Sequence, residues 1–225
     1  MKQQIITIIG KGVQRASQLK GGGGSALPGL VVEHIDPLFL KRTLNQLKLG
    51  VVLVSGTNGK TTTTKMIVEL LESQGLKAFT NRTGSNFTRG IVAALIESVN
   101  KNGKLPFDIA VLELDEAYAV KFSTQIKPKY SLFLNVLRDQ LDRFGEIDTT
   151  AQMLHDVATA TTECVIINRD DPRLNSDKFY DGITASTRTY GVDVSLAKLF
   201  PTDDQMRDTN GKQSAHDSTA LKNDT

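Results

Sequence analysis

The residues best placed to do chemistry lie in one stretch, Val51-Val-Leu-Val-Ser-Gly-Thr-Asn-Gly-Lys-Thr-Thr-Thr-Thr64. Gly56 and Gly59 let the backbone turn tightly and approach a ligand with no Cβ in the way. The N–H groups of Thr57, Asn58 and their neighbours can then point at phosphate oxygens. Lys60 adds a mobile positive charge. A helix opening with Lys60-Thr61-Thr62 adds unpaired N–H groups and the positive end of a dipole, and the Thr61 hydroxyl is placed to ligate Mg2+. These residue types in this order suit an ATP-type triphosphate. The full phosphate-loop spacing asks for a glycine at position 54, where this chain has Val54, so the pattern is half met.

Strand and helix must hold that loop between them. Val51 to Val54 is short, apolar and β-branched, as in a strand buried on both faces of a parallel sheet, and Met66, Ile67, Leu70 and Leu71 then recur at helical spacing. Further strands are predicted at Leu76 to Thr80, Phe107 to Leu112, Tyr130 to Leu134, Cys164 to Ile167 and Ser186 to Tyr190, with helices between them, among them Arg89 to Asn100. Alternation of this kind predicts an α/β fold, a three-layer and mainly parallel sheet with the nucleotide at the C-terminal edge of its strands. Glu113 stands at the end of the third strand, with Asp115 and Glu116 just beyond. Carboxylates facing a triphosphate call for a hard cation such as Mg2+, while exposed acids at a turn are the plainer alternative. The polar loop Asn81 to Asn86 follows the second strand on the same edge, as a candidate wall of the site or as a plain connection.

A chain of 225 residues with 39% hydrophobic content can bury one substantial core. No run approaches the length of a membrane span, and Met1-Lys-Gln-Gln4 does not open a signal peptide, so the sequence predicts a cytoplasmic protein. The single cysteine, Cys164, excludes disulfides and four-cysteine metal sites and reads as a small buried strand residue. Residues 1–48 carry seven Lys and Arg against two acids. Ile5, Ile6, Ile9, Val13 and Ala16 make this arm a basic amphipathic helix, either packed on its own domain or drawn to an anionic membrane surface. Gly21 to Ser25 reads as flexible, Ala26-Leu-Pro-Gly29 as a turn, and Pro37 to Lys48 as a second helical stretch. Pro201 to Thr225 has scarcely an apolar residue and is expected to be disordered. The expected division is a helical arm over 1–48, an ATP-binding domain over 49–192 and a polar tail over 193–225.

The short loop Gly56-Thr-Asn-Gly-Lys-Thr-Thr62, with Glu113 and Asn135-Val-Leu-Arg-Asp-Gln-Leu-Asp-Arg143, resembles the Mur ligase superfamily. These enzymes join an amine to a carboxylate through an acyl phosphate. The basic helix, the glycine-rich start and Arg138-Asp-Gln-Leu-Asp-Arg-Phe-Gly-Glu146 resemble its MurT-type branch, the subunits of lipid II isoglutaminyl synthases. The resemblance covers roughly residues 15 to 190 and implies the superfamily's central-domain fold. It further implies ATP and Mg2+ as cofactors, Gly56, Thr57, Asn58, Gly59, Lys60, Thr61 and Thr62 around the phosphates, and Thr61 and Glu113 on the metal. Lys60 and Glu113 would be catalytic, and Asn168 and Asp171, in Asn168-Arg-Asp-Asp-Pro172, would lie near adenine and ribose. The implied activity is amidation of the D-glutamate α-carboxylate of lipid II to D-isoglutamine with ammonia from a GatD-type glutaminase, with no role for nucleic acid. A folylpolyglutamate synthase-like ligase and a non-catalytic ATP-binding fragment stay open.

Three departures qualify the resemblance. Gln140 stands where the superfamily has a metal-binding histidine. No lysine occurs between Arg143 and Asn168, where many relatives carry a carbamylated one, and His155 on that helix is only a weak substitute. Relatives of the MurT type are about twice as long, with a four-cysteine zinc ribbon and a C-terminal ligase domain. The chain is therefore expected to bind ATP weakly, to hold no zinc and not to amidate lipid II even with glutaminase and glutamine present.

Overall fold

The computed structural model describes residues 2–19, 26–81, 88–137 and 146–196. Six strands form one all-parallel sheet: β1 (Val51–Ser55), β2 (Ala78–Thr80), β3 (Ile109–Glu113), β4 (Tyr130–Phe133), β5 (Cys164–Asn168) and β6 (Ser186–Tyr190). Their order is β2-β3-β1-β4-β5-β6. All five positions of β1 and of β3 are buried, which is why both read as continuous apolar runs without alternation. The chain leaves β1 in one direction to reach β2 and returns by β3. It then crosses β1 to begin β4 on the other side, so the strand order reverses around β1, and the crevice at such a reversal is the general ligand position of open α/β sheets.

Helix α4 (Lys60–Ser73) covers one face of the sheet through Val68, Ile67 and Leu71, over Val52, Val54, Ile109, Val111, Leu132 and Leu134. The opposite face carries α5 (Thr88–Ser98), α6 (Glu116–Gln125) and α7 (Glu146–Ala160), and its core includes Leu53, Leu95, Ile96, Leu112, Phe122, Phe133, Leu154 and Ile167. Beyond α4 the first face opens into a groove of about 640 Å3 lined by Tyr130, Leu132, Ile166 and Tyr190 among others. This explains a departure from expectation at β5. Val165 and Ile167 point into the core, whereas Cys164 and Ile166 are only half-buried, because their side chains alternate onto the open face. Cys164 is thus a partly exposed strand residue, not a fully buried one.

The N-terminal segment shares this core. Helices α1 (Lys2–Leu19), α2 (Ala26–Ile35) and α3 (Phe39–Leu44) stack on α5, and Ile6, Val32, Phe39, Leu40, Leu44 and Leu47 belong to the same cluster as Ile91, Leu95 and Ile96. Packing on its own domain is therefore the observed state of α1. The expected turn Ala26-Leu-Pro-Gly29 is instead the first turn of α2. Pro28 is tolerated there because the N–H groups of a first turn have no partner inside the helix. Gly29 serves contact and not bending, since a Cβ there would fall 2.0 Å from the Arg89 carbonyl oxygen of α5. The second helical stretch is shorter than Pro37 to Lys48, running only from Phe39 to Leu44. The glycine run 21–25, loop residues 82–86, Gln140 with the rest of 138–143, and the tail 201–225 lie outside the described residues.

Candidate nucleotide site

β1 ends at Ser55 and α4 begins at Lys60, so Gly56 to Gly59 make the whole turn between a buried strand and a helix. Gly56 has φ 132° and Gly59 φ 86°, both in the region that favours glycine. A Cβ on Gly56 would also lie 2.9 Å from the Asn135 carbonyl oxygen. Gly59 is the N-cap of α4 and has no side chain to cap it, so the helix presents its positive end at the turn. Asn58, Gly59, Thr61 and Thr62 are exposed, while Thr57 and Lys60 are partly buried. The N–H groups of Thr57 and Asn58 are taken by Asn135, so the donors that the turn can offer an anion are those from Gly59 into the first turn of α4, not the whole loop.

Lys60 is folded back over this turn. Its Nζ donates to Gly56 O at 2.7 Å and Thr57 O at 3.2 Å, and it pairs with Asp115 Oδ1 at 3.1 Å. Two carbonyls and a carboxylate supply the negative charge that the ammonium needs. Asp115 is the N-cap of α6 and half-exposed, so the pair sits at the rim.

Glu113, the last residue of β3, is 5% exposed, and its Oε1 accepts from Thr61 Oγ1 at 3.2 Å. Its Oε2 is buried with no hydrogen-bond partner among the described residues. A buried carboxylate oxygen without a donor carries an uncompensated desolvation cost. Adjacent ligands of an octahedral cation with bonds of about 2.1 Å stand about 3.0 Å apart, close to the Thr61–Glu113 separation. These donors fit Mg2+, which typically takes one or two carboxylates and completes its shell with water and phosphate oxygens. No cluster of three or more His, Cys, Asp or Glu suited to a metal exists among the described residues, so only that sparse kind of site is available.

Two asparagines hold these parts; each opens a stretch that the sequence singles out, Asn81 to Asn86 and Asn135 to Arg143, but the sequence does not show what either one holds. Asn81, just past β2 and 3% exposed, clamps the backbone of Glu113: its Nδ2 donates to Glu113 O at 2.9 Å and its Oδ1 accepts from Glu113 N at 3.1 Å. Asn135, just past β4, clamps Asn58 in the same way, with Oδ1 accepting from Asn58 N at 2.9 Å and Nδ2 donating to Asn58 O at 3.1 Å. Thr57 N donates to Asn135 O, and Leu137 N donates to Thr57 Oγ1. Ser55 Oγ donates to Leu114 O, tying the ends of β1 and β3. The sequence marks both as polar amides following an apolar strand, which places them on the ligand edge without revealing the clamps.

Asn168 and Asp171 stand on the same edge, two strands from β1, and their polar groups hold backbone. Asn168 Nδ2 donates to Leu134 O and its Oδ1 accepts from Asp170 N. The Asp171 carboxylate accepts from the N–H groups of Val136, Arg173 and Leu174, binding the loop after β5 to the segment after β4. Tyr190 donates to Phe133 O from β6, and burial, then the nearby Asp170 and Asp171, push its phenol up to about 12. His155 is not brought to the site. Its Nε2 lies 2.7 Å from Asp181 O, its Nδ1 meets Gln152, and its ring packs edge-on against Phe179.

Comparison with known proteins identifies relatives of this chain. The MurT subunit of the glutamine-hydrolyzing lipid II isoglutaminyl synthase from Staphylococcus aureus (strain COL) is 33% identical over 172 residues, 76% of this chain and 38% of that protein. The corresponding subunit from Streptococcus pneumoniae (strain ATCC BAA-255 / R6) is 38% identical over 152 residues, 67% of this chain and 33% of that protein. The chain thus spans little more than a third of the length of these relatives. A crystal structure of MurF ligase from Thermotoga maritima in complex with ADP superimposes with a TM-score of 0.57 at 21% identity, covering 70% of this chain and 36% of that one, and so shares the fold. The Mur ligase middle domain matches residues 54–222, and the chain belongs to that family.

Proposed function

We propose that this chain supplies the Mg·ATP-binding part of an amide ligase of peptidoglycan synthesis. The observation that carries the reading is the Thr61–Glu113 oxygen pair at the end of the phosphate turn, with its second carboxylate oxygen buried and unpaired. In this reading the N–H groups from Gly59 to Thr62 receive the phosphates, those of Thr57 and Asn58 staying on Asn135, and Lys60 leaves its carbonyl and Asp115 partners for the β- and γ-phosphate oxygens. Thr61 and Glu113 would hold Mg2+, which offsets charge on the transferring phosphoryl group. Asn168 and Asp171 shape the wall where adenine and ribose would lie, through the loops they fasten.

The reaction class follows from what such a site can do. A carboxylate is a poor acyl donor. Attack of its oxygen on the γ-phosphorus forms an acyl phosphate and releases ADP, after which an amine attacks the carbonyl carbon and inorganic phosphate leaves. Positioning and charge stabilisation supply the catalysis. The two MurT relatives are subunits of an enzyme named for lipid II, isoglutamine formation and glutamine hydrolysis. On that likeness the acceptor is the D-glutamate α-carboxylate of lipid II, the nucleophile is ammonia, and a GatD-type glutaminase partner releases it.

The test has two stages. Calorimetric titration of the chain with ATP should show binding that requires Mg2+. Binding that is absent, or indifferent to Mg2+, refutes the site. Incubation of this chain joined to the C-terminal part of a MurT relative with lipid II, Mg·ATP and either ammonium or glutamine plus glutaminase, followed by mass spectrometry of the stem peptide, then addresses the acceptor. An ATP-binding protein that amidates a different carboxylate overturns the lipid II assignment and leaves the site intact.

A further inference from the structure

α1 has two apolar faces where packing on a domain requires one. Ile6, Thr7 and Gly10 are buried, with Gly10 against Val32 of α2 and Ile96 of α5. On the other side Ile5, Ile8, Ile9, Gly12 and Ala16 are all exposed, at the i, i+3, i+4, i+7, i+11 spacing of one helical stripe. Ile5 is 56% and Ile8 64% exposed, so the stripe contacts little among the described residues. α2, packed against α1, adds the exposed Leu27 and Leu30. Arg15 borders the stripe in the open, and the segment 1–48 carries an excess of five positive charges, of which Lys11 is turned to the Val99 carbonyl and Arg42 is paired with Asp36.

We propose that the outer face of α1 binds an anionic lipid surface, the helix lying in the headgroup layer with its isoleucines inserted. No described helix is long and apolar enough to cross a membrane, so α1 lies on the bilayer and does not span it. Charge selects the occupant. A second copy pairing through this stripe would bring two basic segments together, whereas anionic headgroups complement them. The contact is independent of the nucleotide site, since the stripe residues face away from the α2–α5 packing that joins α1 to the sheet.

Co-sedimentation of the 225-residue chain with vesicles of phosphatidylcholine containing phosphatidylglycerol tests this. The chain should pellet with them, less so as salt rises, and should stay in solution with pure phosphatidylcholine. Ile5→Asp with Ile8→Asp should lower the partition coefficient by roughly tenfold or more, and Arg15→Glu by less. Melting temperature and ATP affinity should not move in either variant. Failure of the parent chain to bind, undiminished binding by the double variant, or equal binding to neutral vesicles overturns the proposal. So does concentration-dependent self-association that the double variant abolishes while the parent ignores vesicles, which would make the stripe a contact between copies.

Discussion

Asn81→Ala isolates the link between the sheet and the metal-facing carboxylate. The substitution removes both side-chain hydrogen bonds to the Glu113 backbone, at 2.9 and 3.1 Å, and leaves a donor and an acceptor without partners in a site where Glu113 is 5% exposed. An orphaned buried group costs about 1–3 kcal/mol, so the pair should cost about 3 kcal/mol. For a domain of this size that corresponds to a drop in melting temperature of about 6–12 °C. The Thr61–Glu113 pair depends on where β3 ends, so the Mg2+ concentration supporting half-maximal ATP binding should also rise, by about 10–100-fold as for other groups that orient metal ligands. Urea unfolding gives the first quantity and an ATP titration at stepped Mg2+ the second. A fall in stability with an unchanged Mg2+ requirement would show that Asn81 only fastens β2 to β3. Loss of neither would refute the clamp.

Three further outcomes are expected. Lys60→Ala should weaken Mg·ATP binding by roughly ten- to hundredfold, the worth of a lost charge-assisted bond, with the melting temperature nearly unchanged, because its carbonyl partners lie beside an open turn. Glu113→Gln should raise the Mg2+ requirement more than Asn81→Ala does, because it removes the ligand charge itself; an unchanged Mg2+ titration would make Glu113 a purely structural residue. The Tyr190 phenol, normally near 10.0, is pushed up to about 12 in the folded chain. The unfolded chain therefore releases this proton first, and stability falls as pH rises from 10 towards 12. Denaturant unfolding at stepped pH should show a shallower fall in Tyr190→Phe, and parallel curves would contradict the shift.

Much of this site is legible in the sequence because its signals are local. The change from the apolar run Val51–Val54 to helical spacing brackets Gly56 and Gly59, and both glycines carry the positive φ that the turn requires. Glu113 is the last residue of β3 because the register β1–β3 sets it opposite Val54, directly before the turn. The two asparagine clamps join residues 32 and 77 positions apart, and no periodicity reports contacts at that separation. Lys60 differs for another reason. Composition indicates a cation for phosphates, but only coordinates show that the carbonyls of its own turn and Asp115 hold it at the rim.

The N-terminal helix shows where pattern reading stops for a physical reason. Ile5, Ile6, Ile9, Val13 and Ala16 fit one amphipathic helix, yet the structure splits them, turning Ile6 inward and Ile5, Ile9 and Ala16 outward. An apolar arc wider than a single stripe leaves the helix's rotation about its axis undetermined, since several orientations bury comparable area. Shape resolves it at Gly10. A Cβ there would lie 3.0 Å from side-chain methyls of both Ile96 and Val32, so any larger residue makes these neighbours shift, and glycine lets α1 sit this close with that edge inward. Gly29 fixes α2 against the Arg89 carbonyl in the same manner. The two contacts set the rotation of α1, and with it which isoleucines face solvent. Gly10→Val should therefore push α1 outward and lower stability without touching the exposed stripe, whereas Ile8→Asp should leave stability intact.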